Sequence, residues 1–419
     1  MDLERLRGKR LLILAGAYFH TKVVRAAKEL GIYTIVTDYL EDSPAKKIAD
    51  ESLMFSILDV DLIVDWCKQH PVDGILNFCN DVGQWPYQQI CSKLGLPCHG
   101  TFEQFDIMTN KIKFKKYCVE HGVDVIPEYT LEDIENDKAE YPLYIKPSDS
   151  QASRGQTICF TREEAKKAYD KAVKQSKEGK AICEKYMGGH QDVGTAYFVV
   201  NGEPYLVKFG DRYLGSKEDN LAGQVMCTRL PSESVQRFEN TSISKVKSMI
   251  KSLGIKYGPV FLQGFIDGDS IRYYDPAIRM PGGDYDLVLK AATGFDTVKS
   301  LINFALTGET TECVGNPENC YLLNGGVALL ICFSFRPGVV AKVTGLDDLL
   351  RHKYVIYGRQ MIFEGQKVPN SGDVKQRGAA IGALLPGSSV VKDFIDEVYN
   401  TYHVYDEDGN DMIVSKYHV

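Results

Sequence analysis

Tyr141-Pro142-Leu143-Tyr144-Ile145-Lys146-Pro147 is an apolar run closed by a lysine, and it opens onto Ser148-Asp149-Ser150-Gln151-Ala152-Ser153-Arg154-Gly155. The run has the length and alternation of a strand. The stretch beyond it consists mostly of small and hydroxyl-bearing residues around one cation. Small residues let backbone N–H groups converge on phosphate oxygens, serine hydroxyls add donors, and Lys146 and Arg154 bring positive charge. A lysine that closes a strand is as often a solvent-facing residue, so the stretch takes its meaning from its surroundings.

Upstream, Arg10 to Gly16, Val23 to Leu30 and Tyr33 to Asp38 read as strand, helix and strand, and a second helix from Val60 to His70 leads into Gly74 to Phe78. This alternation predicts a small doubly wound parallel sheet with ligands gathered at the strand C-termini. Its first turn, Gly16-Ala17-Tyr18-Phe19-His20, has one glycine where a dinucleotide-binding turn spaces three. Asp38 therefore reads as a strand-end turn residue and not as a ribose ligand. Residues 106–122 read as one helix, opened by Asp106 and ended by His121-Gly122. After the loop come a strand through Phe160, a charged helix from Glu163 to Lys177 and a strand from Ala181 to Tyr186. From Thr195 to Val288 the pattern is mostly strands, interrupted by a helix over Ser242 to Leu253, with an Asp267-Gly268-Asp269 hairpin turn.

In this order the segments resemble the ATP-grasp superfamily, over most of the chain. Tyr141 to Pro147 looks like the family strand whose lysine, here Lys146, contacts the nucleotide phosphates. Thr109-Asn110-Lys111 with Phe114 is similar to the earlier lysine segment. Ser148, Ser153, Arg154 and Gly155 fall in the phosphate-covering loop. Cys183-Glu184-Lys185-Tyr186-Met187 resembles the hinge in which main-chain groups read the adenine edge and Glu184 bonds the exocyclic amine. Asp192 falls near the acidic position that holds the ribose, with a turn residue as the other reading. Lys208 and Lys217 flank a Gly-and-polar stretch where the superfamily places another phosphate contact. Tyr273-Tyr274-Asp275-Pro276-Ala277-Ile278-Arg279-Met280-Pro281-Gly282-Gly283 resembles the second magnesium strand, with Asp275 for the usual glutamate and Ala277 for the usual asparagine. Gln263 takes the place of the first carboxylate. A site with Asp275 and Gln263 still suits magnesium, which needs one or two carboxylates beside phosphates and water. Arg279 offers a planar fork for a carboxylate or a transferring phosphoryl group. Arg336-Pro337-Gly338 and the Gly345-Leu346-Asp347 turn are similar to the C-terminal lobe of the amino-acid-ligase and glycinamide-synthetase branches.

Composition narrows the partners. With 419 residues, 44% hydrophobic and 25% charged, the chain suits several packed domains. A net charge of −7 supplies no basic field for nucleic acid. No uninterrupted apolar stretch has the length of a membrane span, and the N-terminus lacks the apolar core of a secretory signal, so the cytoplasm is expected. The eleven cysteines show no Cys-x-x-Cys spacing and read as reduced core residues.

The expected fold is therefore α/β and α+β multidomain. A doubly wound N-terminal domain over 1–105 precedes an ATP-grasp domain over 106–310, with a lid near 125–187, and a C-terminal lobe over 311–419. The resemblance implies a carbon–nitrogen ligase using ATP and Mg2+, which activates a carboxylate as an acyl phosphate for an amine. Its partners would be small-molecule carboxylates and amines, with a homodimer open and neither nucleic acid nor membrane involved. Gln263 and Ala277 leave a second reading, a nucleotide-binding protein that has lost catalysis.

Overall fold

The computed structural model describes residues 2–148, 156–176 and 179–418. The first sheet is built by β1 (Arg10–Leu14), α1 (Thr21–Glu29), β2 (Tyr33–Thr37), β3 (Glu51–Leu53), α2 (Val60–Gln69) and β4 (Gly74–Leu76). Its strands are parallel and ordered β3-β2-β1-β4. Successive side chains of β1 point to opposite faces, as the two-residue period of a strand requires. Leu11 and Ile13 join Val23, Val24 and Ala27 of α1, whereas Leu12 and Leu14 join Ile63, Val64 and Cys67 of α2. Both faces are covered, so the sheet is doubly wound as expected.

The helix expected over residues 106–122 is two. After α3 (Gln84–Leu94), α4 spans Phe102–Thr109 and α5 spans Lys111–Glu120. Asn110 adopts an extended conformation between them, and its side chain accepts from the Ile112 and Lys113 N–H groups at 3.1 Å each. Asparagine competes for the backbone in this way and so starts a new helix in the middle of a run of helix formers. Thr101, through a capping box with Gln104, begins α4 in place of Asp106.

The stretch that opened the reading lies in a separate small sheet. α6 (Leu131–Glu135), β5 (Leu143–Pro147), β6 (Thr157–Cys159), α7 (Arg162–Gln175) and β7 (Ala181–Lys185) enclose their own core of Ile134, Leu143, Ile145, Cys159, Ala165, Ala168 and Cys183. The strand order is β6-β5-β7, all antiparallel. Thr161 and Glu164 form the capping box that starts α7.

Among the described residues the third sheet has nine strands, the ninth being Ile413–Val414, which pairs with Ser334 and Phe335. β8 (Asp192–Val200), β9 (Glu203–Leu214), β10 (Val225–Leu230), β11 (Gly258–Asp267), β12 (Ser270–Ala277) and β13 (Val327–Phe335) follow the order β12-β11-β8-β9-β10-β13, and the strands Arg377–Leu385 and Val355–Gln360 extend it beyond β13. The helix Ser244–Leu253 covers one side. The hairpin at Asp267 to Asp269 joins β11 to β12, and Asp267 accepts from Lys185 Nζ at 3.4 Å and Arg272 Nε at 3.3 Å, so it shapes the turn. One extended segment ties the small sheet to the large one, because Val125 bridges Tyr273 of β12 and Glu128 bridges Glu184 of β7. That link sets Glu184 of the small sheet and Tyr273 of the large one against the same segment.

Candidate functional site

Glu184 lies on β7, beside Tyr144 of the lysine strand, and is buried. Its two oxygens divide between two lysines: Lys146 Nζ donates to Oε2 at 2.7 Å, and Lys115 Nζ donates to Oε1. Lys115 also reaches Glu128. Burial alone would push the Glu184 carboxyl up, but Lys115 and Lys146 hold it below the usual carboxylate range. The sequence reading missed Lys115. It stands one helical turn after Lys111 and beside buried Phe114, and a lysine inside an apolar stripe was the available signal.

Lys111 itself is more exposed and pairs with Asp275 at 3.3 Å. Asp275 on β12 is the cross-strand partner of Gln263 on β11, so the two proposed metal-binding oxygens share one edge of the sheet. Tyr274 OH donates to Gln263 Oε1 at 3.0 Å. No group of three His, Cys, Asp or Glu side chains suited to a metal occurs among the described residues. One carboxylate and one amide oxygen nevertheless match the donor set of a magnesium ion whose remaining ligands are phosphate and water.

The hinge residues follow β7. Lys185 donates its N–H to Pro127 O at 2.9 Å and Tyr186 its N–H to Pro142 O at 2.8 Å, so these two groups are committed within the fold. Met187 is buried, and Ser148 turns out of β5 with its N–H on Lys180 O at 3.0 Å. Ser153, Arg154 and Gly155 lie outside the described residues. Asp38 gives one carboxylate oxygen to Gly16 N–H at 2.7 Å and the other to Leu40 N–H at 2.8 Å, in keeping with a turn residue.

Asp192 begins β8 and is no turn residue. It accepts from Arg212 Nη1 at 2.7 Å, and its other oxygen, 3.3 Å from Tyr274 OH, shares the single Tyr274 proton with Gln263. Burial pushes its carboxyl up to about 6, against the pull of Arg212 and Tyr274. A carboxyl raised in the folded state binds its proton more tightly there than in the unfolded chain. The folded state therefore gains stability as pH falls through about 6. Relative to Asp192→Asn, the wild type should gain about 1 kcal/mol between roughly pH 7 and pH 5. Urea unfolding at the two pH values checks this, and a constant difference would remove the assignment.

Arg279 follows β12 and is buried. Its Nη2 and Nε fork onto Asp81, with Nη2 to Oδ2 at 2.7 Å, and Nη1 donates to Met280 O at 2.9 Å. Asp81 comes from the loop after β4, and no local motif announced it. Arg279 lines a pocket of about 240 Å³ together with Lys208 and Arg212 of β9, Phe261 and Gln263 of β11, and Arg359 and Arg377 from the two outer strands. Gly282 and Gly283 form part of its wall, and a Cβ on either would meet nothing within 4 Å. That leaves backbone open to an anion. Arg359 forms an ion pair with Asp284, which Lys22 of α1 also grips at 2.9 Å.

All eleven cysteines are free thiols, and no helix among the described residues is long and apolar enough to cross a membrane. Searched against models of known protein families, the chain matches none. In sequence, 232 residues are 28% identical to the 2-oxoglutarate carboxylase small subunit of Hydrogenobacter thermophilus, covering 49% of this chain and 48% of that one. A further 187 residues are 24% identical to the formate-dependent phosphoribosylglycinamide formyltransferase of Ignicoccus hospitalis, covering 43% and 46%. The chain thus spans about half the length of these curated relatives. In structure, the phosphoribosylglycinamide synthetase of Anaerococcus prevotii superposes with a TM-score of 0.78 at 18% identity, over 96% of this chain and 100% of that one. The L-amino acid ligase of Bacillus licheniformis gives 0.75 at 17% identity, over 96% and 99%. The biotin carboxylase domain of the Hydrogenobacter thermophilus 2-oxoglutarate carboxylase, solved with MgADP and bicarbonate, gives 0.72 at 19% identity, over 96% and 91%. The parallel sheet, the small lysine-bearing sheet and the large antiparallel sheet therefore make up an ATP-grasp fold.

Proposed function

We propose that the chain is an ATP-dependent ligase that joins a carboxylate to an amine through an acyl phosphate. The observation that carries this reading is the spatial order of the charges. The segment Val125 to Glu128 joins β7, which carries Glu184 between Lys115 and Lys146, to β12, which carries Asp275 paired with Lys111; Asp275 stands opposite Gln263, and Gln263 lines the basic pocket with Arg279. Similarity to solved ligases and to an MgADP-bound carboxylase domain supports it.

In this mechanism Lys146, aimed by Glu184, and Lys111 neutralise the triphosphate. Asp275 and Gln263 would hold magnesium, which adds charge neutralisation at the phosphates. Arg279, fixed by Asp81, orients the acceptor carboxylate so that its oxygen attacks the γ-phosphorus and ADP leaves. The amine then attacks the acyl carbon, gives up a proton and expels inorganic phosphate. Lys185, Tyr186 and Met187 flank the adenine in this assignment, and Asp192 serves the ribose or, through Arg212, the pocket. The three-domain division at residues 105 and 310 belongs to the same proposal.

The test is phosphate release from ATP and magnesium over a panel of carboxylates with amines, beside Asp275→Ala. Acceptor-dependent release that falls by about a hundredfold or more in the variant is expected. Nucleotide binding without ADP formation under any acceptor would favour the second reading, a binding protein, which the amide at Gln263 and the methyl group at Ala277 motivate.

A further inference from the structure

The pocket beside Arg279 holds more positive charge than one carboxylate needs. Five of its lining residues are basic, and no carboxylate is among the lining residues. Three of the five are already balanced from outside the wall: Arg212 by Asp192, Arg279 by Asp81 and Arg359 by Asp284. Two are left over. Arg377 donates to Val225 O at 3.2 Å, its Nε has no partner, and no carboxylate among the described residues pairs with it. Lys208 is 4% exposed, and its ammonium lies over the rings of Phe261 and Tyr285 at 5.8 and 5.1 Å, with no hydrogen-bond acceptor among the described residues.

An ammonium in that position is costly. Burial, and then the nearby Arg212 and Arg279, bring Lys208 down to about 7. Among the described residues neither a carboxylate nor a carbonyl accepts from it, and its place on the pocket wall leaves it open to a ligand. The missing acceptor is what a ligand supplies. A single carboxylate on Arg279, which Asp81 already balances, would leave Lys208 and Arg377 without an acceptor, whereas a second anionic group on the same ligand supplies one to both. The volume of about 240 Å³ restricts that ligand to a compact molecule.

We propose that the acceptor is a small carboxylate bearing a second anionic group, whose reacting carboxylate lies on Arg279 while the second group is held by Lys208 and Arg377. This rests on the reading of the pocket as the acceptor site. The second group is a carboxylate or a phosphate, which share the chemistry of a compact anionic oxygen cluster that accepts from an ammonium and a guanidinium. A monocarboxylic acid of equal length fills the space and leaves a buried cation unpaired, which is how a polar site rejects an analogue lacking the matching group.

Binding without nucleotide tests this separately from catalysis. Succinate and phosphoglycolate are the probes with a second anionic group, butyrate and glycolate their counterparts with one carboxylate only, and inorganic phosphate the control, each titrated calorimetrically against wild type, Lys208→Met and Arg377→Lys. Methionine keeps the volume and apolar contacts of the Lys208 site, and Arg377→Lys keeps the charge if the larger change fails to fold. At least one two-group probe should bind about tenfold or more tighter than its counterpart. Lys208→Met should erase that preference while leaving the butyrate affinity within about threefold. Preference for succinate over phosphoglycolate, or the reverse, identifies the second group. Equal binding of one-group and two-group probes, no saturable binding of any two-group probe, or binding of inorganic phosphate alone would overturn the proposal. Preference for two-group probes without ATP turnover would retain it and sink the ligase reading, while turnover with butyrate and no such preference would do the opposite.

Discussion

Arg279→Ala is expected to lower acceptor-dependent phosphate release by about two to three orders of magnitude, the usual loss when one preorganised donor to a developing charge is removed. The geometry also says what should not happen. Asp81, left without its partner, is 64% exposed at its side chain and stays hydrated, so the loss of the ion pair costs little stability. Activity should therefore collapse in a protein that still unfolds cooperatively near the wild-type denaturant midpoint. Arg279→Lys should not restore the rate, because an ammonium cannot span both Asp81 oxygens and the acceptor as the fork does. Wild-type turnover in either variant would remove Arg279 from the mechanism.

Glu184→Gln should be the most destabilising of the substitutions at the site. It leaves Lys115 and Lys146 facing each other across a neutral amide, both mostly buried. Breaking a buried network of this kind costs about 3 kcal/mol. Its pH dependence has a definite sign. Glu184 is depressed below its ordinary value of 4.5, so its contribution is fully present above that pH and is lost as pH falls through the lower, folded-state value. The gap between wild type and variant should thus be constant near neutrality and close in acid. The KM for ATP should rise as well, since Lys146 loses the carboxylate that aims it. An unchanged unfolding midpoint at neutral pH would show that the two lysines find other partners.

The sequence disclosed those parts of this molecule that are local. β1, α1 and β2 were legible because a short apolar run, an amphipathic stretch of helical period and a second apolar run follow one another between Arg10 and Thr37. β5 and β7 were legible for the same reason, as was the lysine closing the first of them. The break at Asn110 was written in the sequence as a capping residue, but it sat within a run of good helix formers, and the longer pattern masked it. Lys115 was hidden because its significance depends on Glu184, 69 positions away. The basic pocket was hidden for a stronger reason: its cations come from β9, from the turn after β12 and from two strands beyond residue 350, and antiparallel pairing alone brings them together. A motif records neighbours along the chain, and a cross-strand constellation has none.

The large sheet carries one more implication. Its ladder crosses residue 310, since β10 pairs with β13 from Cys227 opposite Ile331 to Leu230 opposite Ala328. Every residue proposed here for nucleotide and metal lies before that point, while Arg359 and Arg377 lie after it. A polypeptide ending at 310 would keep the nucleotide machinery and lose half of what sorts acceptors. It would also bare the unpaired N–H and C=O groups along the β13-facing edge of β10, a ready template for strand addition between copies. In the proposed mechanism the power to activate and the power to choose are thus woven into one sheet, and the selective half cannot be exchanged as a cassette without also supplying the strand that closes the edge.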